Sequence, residues 1–333
     1  MVEKQLIDSG EDRLIAKYFR PLVRHPGALG LTDDAATLTP PAGCDLVLKI
    51  DGIISGVHVF QDDPAELIAR KALRINLSDL AAKGAKPVGF LLSIALPDNT
   101  TADWLAAFAR GLGSDADNYA CPLLGGDTDR TPGLLTVYIA AFGIVPQGTM
   151  VRRSGAQPGD QILVTGSIGD AALGLRLRRD PKRAARWGLN ASMRNCLTQR
   201  YLLPQPRNAM AEALRAYAHA AMDISDGLAG DLAKLIRTSN VHAEIDVERV
   251  PLSDPVKTAL AAEPPLIDDI LIGGDDYEVV CTVPRDRLDA FRVAAAAAGV
   301  PVADIGLVAE GAGTRFNWDG RELTFEHPSF SHF

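Results

Sequence analysis

The sequence predicts an α/β protein built from two domains. The chain has 333 residues, of which 47% are hydrophobic, and at ~100–200 residues per domain this length favours two domains. Short apolar runs typical of strands alternate with helical patterns in both halves. The pattern changes at Val145–Met150, so we place the first domain at residues 1–148 and the second at 149–333.

The first domain contains three apolar runs of strand length, at residues 46–50, 88–96 and 134–145. The run at 88–96 lies between Pro87 and Pro97 and is too short for a typical helix. These runs predict three strands.

A helix with clear boundary signals lies between the first two of these strands. Asp63 can cap it, Pro64 suits its first position, and Glu66 completes a capping-box spacing. Gly84 and Pro87 mark its end.

Two stripes run along this helix at helical spacing. The first is Leu73, Leu77 and Leu80, and the second is Ala72, Asn76, Asp79 and Lys83. Asn76 and Asp79 are therefore predicted beside the buried face, with a solvent edge as the alternative.

The second domain begins with a strand, a glycine-rich turn and a helix over residues 159–175. A polar, arginine-rich segment follows at 176–200. Further strands are predicted at 243–247, 269–283 and 302–308, with a helix at 288–300.

Composition argues against several classes of protein. The formal net charge of −8 argues against a nucleic-acid or anionic-membrane partner, either of which requires a basic surface. The apolar runs are too short to span a bilayer, and the first residues lack a signal-peptide pattern. Cys44, Cys121, Cys196 and Cys281 form no CxxC pair, so we expect free thiols in the cytoplasm.

Aspartates associated with apolar segments are the main chemical feature. They are Asp33, Asp34, Asp51, Asp79, Asp127, Asp223, Asp226, Asp275 and Asp276. Carboxylates are costly to desolvate unless a cation meets them, and hard oxygen ligands favour Mg²⁺ over zinc. We therefore predict a magnesium site, although each aspartate alone could be a cap, a turn residue or a surface charge.

The Gly-Gly-Asp sequence occurs once in each half, at 125–127 and 273–275. Two glycines before a carboxylate suit a tight turn, and they also allow a ligand to approach the backbone closely.

Common nucleotide and calcium motifs are absent from the sequence. An EF-hand starting at Asp223 fails because Leu228 and Lys234 occupy the positions that require Gly and Glu. Neither a P-loop nor a G-x-G-x-x-G fingerprint occurs. Residues 166–170 form either an anion site at a helix start or a plain turn. Residues 152–155 offer guanidinium groups for phosphate oxygens, which points to metal-assisted phosphate chemistry without the usual ATP loop.

Six motifs, in order along the chain, resemble the thiamine-monophosphate kinase family of the aminoimidazole ribonucleotide synthetase-like superfamily. They are RINLSDLAAKGAKP (74–87), LGGDT (124–128), RSGAQPGD (153–160), DISDGL (223–228), GGDDYE (273–278) and SHF (331–333). The resemblance implies an N-terminal sheet that forms a barrel across a homodimer, a C-terminal α/β domain, and ATP in the cleft between the domains. It implies transfer of the γ-phosphoryl group of ATP to thiamine monophosphate, giving thiamine diphosphate, with several Mg²⁺ ions.

The resemblance also implies roles for particular residues. The magnesium ligands would be Asp34, Asp51, Asp79, Asp127, Asp223 and Asp226. The ATP contacts would be Gly126, Asp127, Arg153 and Ser225, and the substrate contacts His58, Asp275 and His327. Arg153 and Asp226 are the predicted catalytic residues.

Some positions depart from the family pattern. Thr32 stands where a Gly is common, and Lys49-Ile50 replaces a Ser-Thr pair before Asp51. Asp275 replaces a Glu, and His327 replaces a Trp that can stack on the substrate.

Two other functions remain as alternatives. One is a related ATP-dependent synthetase of the aminoimidazole ribonucleotide type, and the other is a non-catalytic sensor of nucleotide or thiamine phosphate. The six aspartates argue against a sensor, because a sensor needs fewer metal ions.

Overall fold

A computed structural model of the chain describes residues 10–325. Its α-helices are α1 (Gly10–Leu14), α2 (Ala65–Ala82), α3 (Ala102–Asn118), α4 (Asp170–Arg179), α5 (Arg183–Arg186), α6 (Ala191–Leu202), α7 (Ala211–Tyr217), α8 (Leu228–Ser239), α9 (Asp254–Ala262), α10 (Leu266–Ile272) and α11 (Leu288–Ala297). Its strands are β1 (Cys44–Ile54), β2 (Lys86–Pro97), β3 (Leu123–Thr131), β4 (Thr136–Pro146), β5 (Gln161–Thr165), β6 (Ala220–Ile224), β7 (His242–Asp246), β8 (Glu278–Val283), β9 (Val302–Ala309), β10 (Gly313–Trp318) and β11 (Arg321–Leu323). This composition confirms the predicted α/β class.

The described chain divides into two compact units. The first takes in residues 10–76 and 87–144, and the second takes in 77–86 and 145–325. The division therefore falls inside α2. The predicted domain boundary at 148/149 stays a prediction.

The structure confirms the helix predicted between the first two strands. The Leu67 and Ile68 N–H groups donate to the Pro64 carbonyl, which makes Pro64 part of the first turn. At the other end Gly84 has a φ of 69°, and the Ala85 N–H donates to the Leu80 carbonyl. Helices commonly end in this way, with a left-handed glycine followed by an N–H group that donates back to a carbonyl of the last turn.

The first unit contains a four-stranded sheet in the order β1-β4-β2-β3. β2 and β3 pair in parallel, with Leu92 opposite Gly126 and Ser93 opposite Asp127. A buried carboxylate, Asp115, accepts hydrogen bonds from Arg70 and Arg74 and joins α3 to α2. Removing this charge from water is offset by the two guanidinium groups.

Two of the candidate aspartates lie inside strands. Asp51 follows the strand predicted at 46–50 but lies within the longer β1, and Asp127 lies within β3. The Gly-Gly-Asp sequence at 125–127 is likewise extended strand and not a tight turn. Backbone pairing carries these strands past the apolar residues, because ladder hydrogen bonds do not depend on side-chain polarity.

The second unit contains a seven-stranded mixed sheet in the order β11-β10-β7-β9-β5-β8-β6. β5 pairs antiparallel with both β8 and β9, while β10 pairs in parallel with β7. The strand predicted at 269–283 is partly wrong, because residues 269–272 belong to α10 and the strand β8 begins only at Glu278. Leu266, Ile267, Ile270 and Leu271 are all buried. Their spacing fits a helix, and periodicity alone cannot separate a short buried helix from a strand.

No helix within 10–325 combines the length and the apolar character that crossing a bilayer requires.

Candidate active site

The first unit contains a cavity of about 720 Å³. Its polar lining residues include Asp33, Asp34, Ser93, Asp127 and Thr128, and its apolar lining residues include Phe19, Leu92, Leu124, Tyr138 and Phe142. The structure therefore brings three predicted site residues, Asp34, Gly126 and Asp127, to one cavity.

Gly126 lies where β3 passes very close to β2. A Cβ atom at this position would collide with the Leu92 carbonyl oxygen, and the φ of Gly126 is 155°. Only glycine fits this approach, so Gly126 serves the sheet whether or not it also contacts a nucleotide. It sets the position of Asp127, the next residue.

Asp51 has a backbone anchor and a cationic neighbour within the first unit. Its N–H donates to Asn76 Oδ1 at 2.8 Å. Its Oδ2 lies 3.0 Å from Lys49 Nζ, two residues earlier on the same strand face. Lys49, which replaces a family hydroxyl residue, thus pairs with the predicted metal ligand in this structure.

His58 lies in the turn after β1. Its Nδ1 accepts the Ile54 N–H at 3.0 Å, and its carbonyl accepts a hydrogen bond from Lys71 at 3.2 Å. The first bond holds the ring against its own turn, and the second ties the His58 backbone to α2. The bond from the Ile54 N–H also sets the tautomer of the neutral ring, because Nδ1 is the acceptor and the proton is therefore on Nε2.

The turn between β6 and α8 carries Asp223, Ser225 and Asp226 in the second unit. Asp223 is buried near the end of β6, while Ser225 and Asp226 are half-exposed. Gly227 follows with a φ of 105°, and a Cβ there would meet the Ile272 carbonyl. The glycine therefore permits the sharp exit from the strand into α8.

Asp231, in the first turn of α8, accepts hydrogen bonds from the backbone of the β6–α8 turn. Its Oδ2 accepts the Ser225 N–H at 2.9 Å and the Asp226 N–H at 2.8 Å. Lys234 Nζ donates to Asp231 Oδ1 at 2.9 Å and to Asp226 Oδ2 at 2.6 Å. One buried carboxylate thus fixes two backbone groups, and one ammonium bridges two carboxylates.

Burial and the neighbouring charges shift the pKa values of Asp231 and Lys234 in opposite directions. Burial raises the pKa of Asp231, and the hydrogen bond from Lys234 opposes that rise. Burial lowers the pKa of Lys234, but the hydrogen bonds to Asp226 and Asp231 outweigh it, and the net shift is upward. Lys234 is therefore a stable ammonium beside Asp226 at neutral pH.

Asp79 and Arg153 lie on segments that are tied to β6. Lys83, one helical turn after Asp79, donates to the Ala221 carbonyl at 2.7 Å. The Ala221 N–H donates to the Arg152 carbonyl at 2.9 Å, which places residues 152–153 beside the strand. The Arg153 side chain is exposed, and its carbonyl accepts a hydrogen bond from Ser239 at 3.3 Å.

The loop before β8 packs on the turn that carries Ser225. The Asp275 N–H donates to the Ser225 carbonyl at 2.9 Å, and the Tyr277 N–H donates to the Ile224 carbonyl at 2.8 Å. Asp275 and Tyr277 have φ values of 73° and 51°, a conformation that costs non-glycine residues about 1–3 kcal/mol each. These hydrogen bonds offset that strain and set Asp275 beside Ser225.

Asp276 explains the glycine-rich turn at residues 166–170. Its carboxylate accepts the Gly169 N–H at 2.8 Å at the start of α4. Burial raises the pKa of Asp276 well above the usual value, and the Gly169 hydrogen bond opposes the rise. The start of this helix therefore binds a carboxylate of the protein itself, so the plain structural turn is the better interpretation.

Glu278, at the start of β8, is fully buried among charged partners. Arg200 donates to its Oε1 at 2.8 Å, Arg207 forms a bidentate contact, and Thr165 donates to Oε2 at 2.7 Å. Arg200 also donates to the Asp276 carbonyl at 3.3 Å. This cluster anchors the loop that carries Asp275.

The donor set suits a hard cation, although the described residues do not assemble a complete site. Within residues 10–325, no group of three or more His, Cys, Asp or Glu side chains is arranged to hold a metal ion. Two predicted ligands nevertheless hold a cation already, since Lys49 contacts Asp51 and Lys234 contacts Asp226. Oxygen ligands that attract an ammonium are of the type that Mg²⁺ prefers. His327 lies outside the described residues.

Sequence reasoning listed Asp276 only among the candidate metal aspartates, and it assigned no site role to Asp231, Lys234 or Glu278. Asp276 and Glu278 lie within the motif GGDDYE, and Asp231 and Lys234 follow the motif DISDGL by three and six residues, so their position was a usable signal. Their partners were not foreseeable, because Arg200 and Arg207 lie more than 70 residues away in sequence from Glu278.

Family models match most of the chain. The AIR synthase related protein N-terminal domain matches residues 32–145, and the AIR synthase related protein C-terminal domain matches residues 157–319. Together with the two-sheet fold, these matches define the class as AIR synthase-related.

Individual relatives narrow the class. The chain is 42% identical to the thiamine-monophosphate kinase of Caulobacter vibrioides, over 93% of this chain and 87% of that protein. A crystal structure of thiamine-monophosphate kinase from Stenotrophomonas maltophilia K279a superimposes with a TM-score of 0.82 at 39% identity, covering 94% of this chain and 96% of that one. A structure of AaThiL complexed with AMPPCP and TMP superimposes with a TM-score of 0.78 at 29% identity, covering 93% of this chain and 99% of that one. The chain belongs to the thiamine-monophosphate kinase family.

Proposed function

We propose that this chain transfers the γ-phosphoryl group of ATP to thiamine monophosphate and so forms thiamine diphosphate. The observation that carries the proposal is the family membership over nearly the whole chain, including a relative solved with AMPPCP and TMP. Two observations on the predicted site residues support it: Asp34, Gly126 and Asp127 line the cavity of the first unit, and Asp223, Ser225 and Asp226 lie at the turn between β6 and α8. ATP is therefore the co-substrate, and the enzyme is a phosphotransferase.

Both reacting groups are polyanions, so charge neutralisation is the main task of the site. The second pKa of a phosphate monoester is about 6, so the acceptor is largely ionised at neutral pH and needs no strong general base. Positioning and electrostatic stabilisation then carry the rate. We assign the exposed guanidinium of Arg153 to the phosphate oxygens, with Gly126, Asp127 and Ser225 as further nucleotide contacts.

We propose that aspartate side chains hold magnesium. The proposed oxygen ligands are Asp34, Asp51, Asp79, Asp127, Asp223 and Asp226. When bound, Mg²⁺ neutralises phosphate charge and polarises the transferred group. Lys49 and Lys234 keep Asp51 and Asp226 paired before the metal arrives.

On the acceptor side we assign His58, Asp275 and His327 to the thiamine monophosphate. The loop that carries Asp275 is strained and anchored by Glu278, which supports a preorganised contact at this position.

The direct test is an incubation of the purified protein with ATP, MgCl₂ and thiamine monophosphate, followed by separation and quantification of thiamine diphosphate. We expect product that depends on Mg²⁺ and on both substrates. Folded protein that makes no thiamine diphosphate at saturating substrates, but turns over a formylglycinamidine nucleotide, would overturn the proposal in favour of the related synthetase.

We further propose a homodimer formed through the sheet of the first unit. β1 lies at the edge of that sheet, and its residues Leu46, Leu48 and Ile50 point to one face and remain exposed. Leu48 is 64% exposed and Ile50 is 61% exposed. An edge strand of eleven residues with an exposed apolar face is a ready pairing surface, and a second copy of the chain covers it by two-fold symmetry.

Replacing Leu48 with glutamate should convert the dimer to a monomer, because the charge would be buried in the apolar contact. Light scattering coupled to size exclusion measures the change in mass. The matched control is Val293→Glu, since Val293 is 70% exposed on α11 of the other unit. A wild-type protein that is monomeric, or a Leu48→Glu variant that stays dimeric, contradicts the proposed interface.

The cytoplasm is the proposed location. All four cysteines are free thiols, as in most proteins of a reducing compartment.

A further inference from the structure

We infer that Asp231 is a positioning residue for the phosphate-binding turn, fixing the Ser225 and Asp226 backbone before any ligand arrives. The inference rests on the proposed function, which places Ser225 at the nucleotide and Asp226 at the metal. Asp231 itself contacts neither in this assignment.

The geometry separates Asp231 from an ordinary helix-capping aspartate. A single oxygen, Oδ2, accepts both the Ser225 and the Asp226 N–H, at 2.9 and 2.8 Å. An N-terminal capping residue instead precedes its helix and accepts from the following turn. Asp231 reaches backwards from inside α8 to the turn before it. The Asp231 carboxylate, held in the first turn of α8, therefore fixes the β6–α8 turn that carries Ser225 and Asp226.

Burial makes this contact rigid. The Asp231 side chain is 1% exposed, whereas the Asp226 side chain is 36% exposed. Water cannot replace a buried acceptor, so the two N–H groups have a strong preference for the observed position. The exposed carboxylate of Asp226 then projects from a fixed backbone.

Lys234 extends the same control from the backbone to the side chain of Asp226. Its ammonium lies 2.9 Å from Asp231 Oδ1 and 2.6 Å from Asp226 Oδ2. The Asp226 carboxylate is therefore held at one oxygen by a group that Asp231 itself orients. Hydrogen-bond partners of this kind orient the side chains of metal ligands in other proteins.

The test is a calorimetric titration of the full-length protein with the Mg²⁺·AMPPCP complex. Asp231→Ala removes the acceptor, and we expect its affinity to fall by at least about tenfold, as for other groups that orient metal ligands. Asp231→Asn keeps one oxygen for the two N–H groups, and we expect it to restore most of the affinity. An asparagine variant as weak as the alanine variant, or an alanine variant that binds like wild type, overturns the inference.

A matched control separates positioning from general stability. Asp160 is also a buried aspartate of the second unit, accepts the Gln157 N–H at 2.9 Å and pairs with His219 at 3.0 Å. Asp160→Ala should lower thermal stability but leave Mg²⁺·AMPPCP affinity unchanged. If both alanine variants lose affinity equally, Asp231 is merely structural.

Two further measurements keep the outcomes distinct. Asp226→Asn is the reference for the proposed function: if it binds Mg²⁺·AMPPCP like wild type, the metal role of Asp226 fails, and not the role of Asp231. Amide hydrogen exchange of the ligand-free wild type serves if the alanine variant does not fold. Slow exchange at Ser225 and Asp226 supports the inference, and rapid exchange there overturns it.

Discussion

Replacement of Asp226 with asparagine is expected to lower the turnover of thiamine monophosphate by about 100-fold or more, as for the loss of one strong electrostatic contact in other active sites. Asparagine keeps the size of the side chain and can still accept a hydrogen bond from Lys234, which now donates to Asp226 at 2.6 Å. It lacks the negative charge that a magnesium ligand supplies. The loss should therefore fall on catalysis and on the Mg²⁺ requirement, with little effect on folding.

The measurement is the initial rate of thiamine diphosphate formation over a range of Mg²⁺ concentrations. Asp254→Asn is the matched control, because Asp254 is an exposed aspartate in the first turn of α9 and has no assigned role. The control should retain wild-type rates. An Asp226→Asn enzyme with an unchanged rate at saturating Mg²⁺ would remove Asp226 from the ligand set.

Replacement of Glu278 with alanine is expected to reduce the free energy of unfolding by about 3–5 kcal/mol, the usual cost of removing one partner from a buried ion pair. The substitution leaves the guanidinium groups of Arg200 and Arg207 without their shared carboxylate, and it also leaves the Thr165 hydroxyl without an acceptor. Arg207 loses a bidentate contact, which is the strongest geometry available to it.

Urea unfolding followed by circular dichroism measures this loss as a lower midpoint. Asp289→Ala is the control, because the Asp289 side chain is fully exposed (100%) and its contact with Arg292 is 3.8 Å long. The control should stay within about 0.5 kcal/mol of wild type. A Glu278→Ala protein as stable as that control would show that the cluster contributes no net stability.

The Glu278 variant also bears on the substrate side of the site. Arg200 joins Glu278 to the Asp276 carbonyl, and Asp275 and Tyr277 keep left-handed backbone conformations only because the surrounding contacts hold them. In any Glu278→Ala protein that remains folded, the KM for thiamine monophosphate should therefore rise relative to wild type, and it should rise more than the KM for ATP.

Much of the fold was predictable because its signals are local. Pro64 and Gly84 mark the ends of α2 by chemistry that acts within a few residues, and the structure confirms that helix. The strands at β2, β4, β5 and β9 are apolar runs between Pro or Gly residues, and they too were predicted. The helix α10 was missed because a short apolar run has no period long enough to tell a helix from a strand.

The sequence by itself determined the α/β class, the family motifs and the residue types available for phosphate and metal chemistry, because motif order and hydrophobic pattern are properties of the chain alone. Only the tertiary structure decided how those residues are supported. It placed Asp51 and Asp127 inside strands, set the Asp276 carboxylate on the start of α4, and put Asp231 and Lys234 behind Asp226. Such contacts depend on which distant segments share a sheet or a buried turn, and burial, rather than local propensity, sets the free energy of each polar group there.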